Sequence, residues 1–135
     1  MSERAAIESL IRTAYEARYR GDLDALMDHY HPDASYRLAG LAQPDAMFVQ
    51  PRGREAVRAQ MDGLIKAFVF SNVREHALTV DGDSATLHWS ADVHCVPTGR
   101  SHSFEILDFF TIADGKVKTL VQFTDAGAVA RLMAP

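Results

Sequence analysis

The hydrophobic period of this chain changes once, near residue 73, and that change limits the fold more than any single motif. Before it, apolar residues recur at helical spacing: Ile7, Leu10, Ile11, Ala14 and Tyr15, then Leu23, Leu26 and Met27, then Val57, Met61, Leu64, Ile65 and Phe68. After it the period is two as far as Thr124, interrupted at Asp81-Gly82-Asp83, Pro97-Thr98-Gly99-Arg100 and Asp114-Gly115. Helices followed by a meander of long strands predict an α+β fold. Three N-terminal helices would pack on one face of a strongly curved, mostly antiparallel sheet.

The boundaries follow from capping and turn residues. The first helix is expected from a Ser2 N-cap to about Arg20, where Gly21 stops it, and Asp22 caps a short second helix. A short strand is expected over 34–39 and a third helix from about Arg54. The strands are expected over 73–80, 84–96, 101–113 and 116–124, with no element assigned to 126–135. The loop 40–53 carries an apolar tip, Met47-Phe48-Val49, which either folds over a cavity or docks on the core.

A chain of 135 residues fits one domain, taken as 1–135. The net charge is −4 with no Lys/Arg block, so nucleic acid and anionic membrane are not expected partners. No apolar run approaches the roughly 20 residues of a membrane span. The single cysteine, Cys95, excludes an intramolecular disulfide. With no signal-peptide layout after Met1, the expected compartment is the cytoplasm.

One residue breaks the pattern. In the stretch Phe104 to Ile112, alternation puts Phe104, Ile106, Asp108, Phe110 and Ile112 on one face. A buried carboxylate must be paired, hydrogen-bonded or protonated, because stranding its charge costs several kcal/mol. Asp108 is therefore either a pocket residue or a structural acceptor. With Asp114-Gly115 as a two-residue turn, it would face Val121; with Thr98-Gly99 as another, it would face Trp89. Both registers set it on an apolar floor with Leu87, Trp89, Ala91, Val93, Phe110 and Val121. A β-bulge in the last strand would exchange the facing of Gln122 and its neighbours. The opposite face would carry Leu107, Phe109 and Leu120 among polar groups, which reads as the interface of a homodimer packed sheet to sheet.

The histidines do not form a convincing ligand set. His88 and His94 lie six positions apart on one strand, roughly 20 Å, too far for one metal. No metal and no cofactor are expected, and neither a phosphate loop nor a nucleophile triad is present.

The segment Gly21-Asp-Leu-Asp-Ala-Leu-Met-Asp-His-Tyr-His-Pro-Asp-Ala-Ser-Tyr36 resembles the helix-to-strand segment of SnoaL-like proteins. These belong to the nuclear transport factor 2-like, or cystatin-like, superfamily, which also holds the ketosteroid isomerases. Arg52-Gly-Arg-Glu-Ala-Val57, Asp114-Gly-Lys-Val117 and Gln122-Phe-Thr-Asp125 extend the resemblance over essentially the whole chain. It implies a conical fold with one deep apolar pocket, commonly in a homodimer. Carried over position by position, the isomerase base falls at Leu38, which cannot move a proton. The oxyanion-hole tyrosine falls at Ala14, beside Tyr15, and the protonated acid falls at Asp108.

The candidate catalytic residue is thus Asp108, and the candidate pocket residues are Tyr15, Tyr36, Leu38, Trp89, Phe104, Phe110 and Val121. Two functions stay open. One is a cofactor-free isomerase, cyclase or hydrolase of a small hydrophobic molecule. The other is a non-catalytic small-ligand-binding or dimerisation module.

Overall fold

A computed structural model describes residues 3–41, 48 and 52–135 of the chain. The Ser2 cap and the loop positions Met47 and Val49 lie outside the described residues. The elements run α1 (Glu3–Tyr19), α2 (Leu23–Met27), β1 (Tyr30–Leu38), α3 (Arg54–Ala67), β2 (Phe68–Asp81), β3 (Ser84–Cys95), β4 (Arg100–Ala113), β5 (Lys116–Phe123) and α4 (Ala126–Met133). The expected α+β class is found. Among the described residues four helices accompany one curved, unclosed sheet in the order β1-β5-β4-β3-β2. Its pairs are antiparallel except β1 with β5, which is parallel. No described helix is long and apolar enough to cross a membrane.

Local chemistry accounts for the joints. Gly21 takes φ +74 after α1, a left-handed conformation that spares the chain a Cβ clash. The Asp22 carboxylate then accepts from the Ala25 amide at 3.1 Å and opens α2. Asp114 and Gly115 both have positive φ, 54° and 71°, as a two-residue hairpin turn requires.

Three differences from the sequence expectations shape the site. Phe68 is not the last helical residue but the first of β2, because α3 ends at Ala67. The β3–β4 connection is four residues, Val96–Gly99, so Cys95 pairs with Arg100 and Asp108 lies opposite Leu87 rather than Trp89. The shift is two positions, and side chains alternate with period two, so every facing is preserved.

The third difference does change facing. Between β4 and β5 the register slips after Ile112↔Val117: Thr111 pairs with Thr119, and Lys118 is the extra residue of a bulge. Asp108 therefore lies opposite Gln122, not Val121. Leu120 turns inward and is buried, while Val121 and Phe123 turn to the outer face.

The tail also has structure. The Asp125 carboxylate accepts from the Ala128 amide at 3.0 Å and starts α4, which buries Ala128, Val129 and Leu132. Thr98 in the β3–β4 connection and Arg100 at the start of β4 donate to the carbonyls of Leu132 and Arg131, both at 2.9 Å, and anchor the helix end.

Candidate functional site

The helices cover the concave face of the sheet without filling it. Between them is a cavity of about 100 Å³, measured as the space open to the centres of water molecules. One water needs roughly 15 Å³ on that scale, so this is room for a guest and not a packing defect.

The walls come from every layer. On α1 the buried positions Ile7, Ile11 and Ala14 recur at intervals of four and three, and the next step along that stripe is Arg18. Tyr15, one turn after Ile11, leans from the same face onto the sheet. On β4, Phe104, Ile106, Asp108 and Phe110 are buried while Glu105, Leu107 and Phe109 are exposed. On β3, Trp89 faces the same side.

Of the sequence candidates, the cavity wall holds Tyr15, Tyr36, Leu38, Trp89 and Phe104. Phe48, the described residue of the loop tip, is buried and also on the wall. Three candidates are not on it. Val121 faces away because of the bulge, and Gln122 takes the inward place. Phe110 is sealed beneath Tyr15, with ring centroids 5.9 Å apart. Asp108 is wholly buried behind the wall.

Asp108 nevertheless sits at the centre of the polar chemistry. The Tyr15 hydroxyl and the Trp89 indole N–H both donate to its Oδ2, the indole at 2.9 Å. Oδ1 is buried without a hydrogen-bond partner among the described residues. Burial raises the Asp108 carboxyl to about 6, against the lowering effect of the Tyr15 and Trp89 donors and, least, of the facing Gln122 amide. Complete removal of the side chain from solvent is the physical reason desolvation wins. The Tyr15 phenol in turn is held well above its usual range, first by burial and then by the adjacent Asp108 charge. The acid thus exchanges its proton near neutrality, with a phenol between it and the cavity.

A second polar pair lies along the wall. The Tyr36 hydroxyl donates to the Gln122 Oε1 at 2.8 Å. Burial, followed by the Asp108 charge, raises the Tyr36 phenol well above its usual range. Arg18 is the wall's cation. Its Nη2 donates to the carbonyls of Leu64 at 3.3 Å and Phe68 at 3.1 Å, and its guanidinium carbon lies 4.2 Å over the Phe70 ring. Arg18, Tyr30 and Gln122 were not among the sequence candidates. Arg18 was accessible from its spacing after Ile7, Ile11 and Ala14; Gln122 was hidden by the bulge.

Among the described residues no three His, Cys, Asp or Glu side chains are grouped to hold a metal. His76 and His88 do meet, with ring centroids 4.7 Å apart, and His88 pairs with Glu105 at 2.6 Å.

Residues 11–120 match the model of the family described as SnoaL-like domain. No match is found among curated proteins. Solved structures similar to this chain include a candidate isomerase from Bacillus subtilis, with a TM-score of 0.85 at 13% identity, covering 98% of this chain and 95% of that one. A nuclear transport factor 2-like protein from Burkholderia xenovorans gives a TM-score of 0.82 at 19% identity, covering 99% of both chains. A candidate polyketide cyclase from Xanthomonas campestris gives 0.77 at 17% identity, covering 98% of this chain and 100% of that one. At these identities the likeness is one of fold.

Proposed function

The chain belongs to the SnoaL-like family, within the nuclear transport factor 2-like superfamily, and from that membership we propose a cofactor-free enzyme that moves a proton on a small hydrophobic molecule held in the cavity. One observation carries the reading: a wall phenol, Tyr15, donates to a buried acid raised to about 6. A group that titrates near the working pH is suited to general acid–base chemistry. The names of the solved relatives, a candidate isomerase and a candidate polyketide cyclase, agree with chemistry of that type.

The proton balance is simple. A guest C–H next to a carbonyl gives its proton to the Tyr15 oxygen as the Tyr15 proton passes to Asp108 Oδ2. The C–H electron pair moves into the carbonyl, leaving an enolate. Return of the proton to a different carbon gives an isomer. Alternatively, the enolate carbon attacks a second carbonyl of the same guest, and the new alkoxide takes the proton back, giving a ring. Neither course needs an oxidant or cofactor. Tyr15 touches the guest, and Asp108 acts through it.

Deuterium exchange tests this without knowing the substrate. In D₂O the protein should exchange the α-protons of small cyclic ketones or diketones, read by proton NMR, and Tyr15→Phe and Asp108→Asn should each abolish the exchange. Guests that bind without exchange in the unmodified protein would favour the second reading, a non-catalytic binder. Leu38 on the wall supports that reading, because it offers no base at the position where the isomerases carry one.

The outer sheet face supports a homodimer as the working assembly. Leu107, Phe109 and Phe123 are 42%, 39% and 46% exposed there, beside the half-buried Val121. Apolar exposure grouped on one sheet face is uncommon without a partner.

A further inference from the structure

Arg18 has less company than a buried cation needs. Burial lowers its guanidinium to about 10, and the groups opposing that shift are tyrosine phenols, Tyr36 first, with no carboxylate among them. Nor does Arg18 enter the forces on Asp108, which is held by Tyr15, Trp89 and Gln122. Among the described residues the wall carries no Asp or Glu.

The side chain has a structural role, since Arg18 holds two carbonyls at the end of α3 and covers Phe70. Those carbonyl bonds occupy Nη2 alone. Nε and Nη1 have no acceptor among the described residues, and neither is sealed away from the cavity and solvent. A guanidinium presents five donors in a planar fork suited to carboxylates, and leaving most of them idle in an apolar cavity is costly. The surrounding wall is apolar, from Leu26, Met61, Leu64 and Phe68 among others.

We propose that the natural guest is an apolar molecule bearing a carboxylate, and that Arg18 is the residue that selects it by pairing with that charge. This rests on the reading of the cavity as a guest site and adds the guest's charge class. The tyrosine–acid pair and the cation are then separate parts of one site, with Tyr15 and Asp108 for the proton and Arg18 for the anchor.

Matched probes test it: naphthaleneacetate, phenylbutyrate and octanoate, each against its neutral primary amide, titrated calorimetrically into the unmodified protein. The acids should bind about tenfold to a hundredfold tighter than the amides, the range for a hydrogen bond to a charged group. Arg18→Gln should remove that preference, bringing acid and amide to equal affinity, and Arg18→Lys should keep part of it. The Arg18 Nε–H resonance of the unmodified protein gives a reading free of any folding defect, and it should shift with the acids and not with the amides. Equal binding of acid and amide, a preference that survives Arg18→Gln, or a silent Nε–H resonance would overturn the proposal while leaving the cavity as a guest site. Failure of every probe to bind at millimolar concentration would overturn the guest-site reading together with it.

Discussion

Asp108 should make the protein less stable as the pH rises through 6, and Asp108→Asn should remove that dependence. The sign follows from proton binding. In the unfolded chain the carboxyl titrates near its ordinary 3.8, and in the folded protein near 6. Between those values the folded state holds the proton that the unfolded state has released, so raising the pH favours unfolding. The contribution is fully present below 3.8 and is lost as pH climbs past 6. A difference of about two units at 1.36 kcal/mol each makes the loss on the order of 3 kcal/mol. The side chain is wholly buried, so solvent screening does not shrink that figure. Other carboxylates act in the opposite direction: Glu75, lowered by its hydrogen bond from Arg12, and Asp92, lowered by Ser103 and Asn72, stabilise at higher pH. The quantity to measure is therefore the difference between the unmodified protein and Asp108→Asn, in which those terms cancel. Urea unfolding followed by the fluorescence of Trp89, the one tryptophan, gives it at intervals from pH 4 to pH 8. The difference should shift against the unmodified protein by about 3 kcal/mol over that range. A flat difference would mean Asp108 keeps an ordinary affinity for its proton, and a rising one would mean its donors outweigh its burial.

Further outcomes can be read with similar tools. Tyr15→Phe removes one of the two donors to Oδ2, so the midpoint at which Trp89 emission senses Asp108 should move above 6, with a stability loss at neutral pH of about 1–3 kcal/mol; an unmoved midpoint would show that the Tyr15 hydroxyl does not hold the carboxylate. Asp125→Ala should cost about 1 kcal/mol by uncapping α4, and Asp125→Asn little, in the same unfolding assay. If the outer face is the interface of the proposed dimer, Leu107→Lys together with Phe109→Lys should yield a sedimenting monomer and a thermal midpoint that no longer rises with protein concentration. A monomer in the unmodified protein at micromolar concentration would count against the outer face as an interface.

Much of the fold was legible because facing survives even-numbered errors. The β3–β4 connection is two residues longer than Thr98-Gly99 suggested, so Trp89 pairs with Ile106 and Leu87 with Asp108, yet all four remain on the inner face. The β4–β5 slip is one residue, and it carried Val121 out and Gln122 in. Nothing in Thr111 to Thr119 marks a bulge at Lys118, because no glycine or proline stands there beyond the turn itself. The helical tail was obscured for a related reason. Gly127 in the first turn weakens the helical signal, and only the Asp125 cap and the apolar pair Val129 and Leu132 offset it. Asp108 was found as an oddity of its strand, but its distance from the cavity was not visible, since that depends on Tyr15 reaching across from a helix 93 positions earlier.

The direction of the hydrogen bonds says more about the guest than the list of wall residues does. Trp89 spends its only donor on Asp108, Tyr15 spends its hydroxyl proton on the same oxygen, and Tyr36 spends its own on Gln122. Two of the wall's polar groups, the Tyr15 and Tyr36 oxygens, therefore keep lone pairs and no free proton while Asp108 is ionised. A guest carbonyl would find no donor at Tyr15 in that state, whereas a guest hydroxyl or an acidic C–H would find an acceptor. Protonating Asp108 reverses this: the carboxyl no longer needs both donors, and the Tyr15 proton becomes available to a guest oxygen. The site thus exchanges an accepting face for a donating one across a titration centred near 6. The apolar sheet that makes Asp108 hard to ionise is what brings that exchange into the range where a proton-transfer enzyme can use both forms.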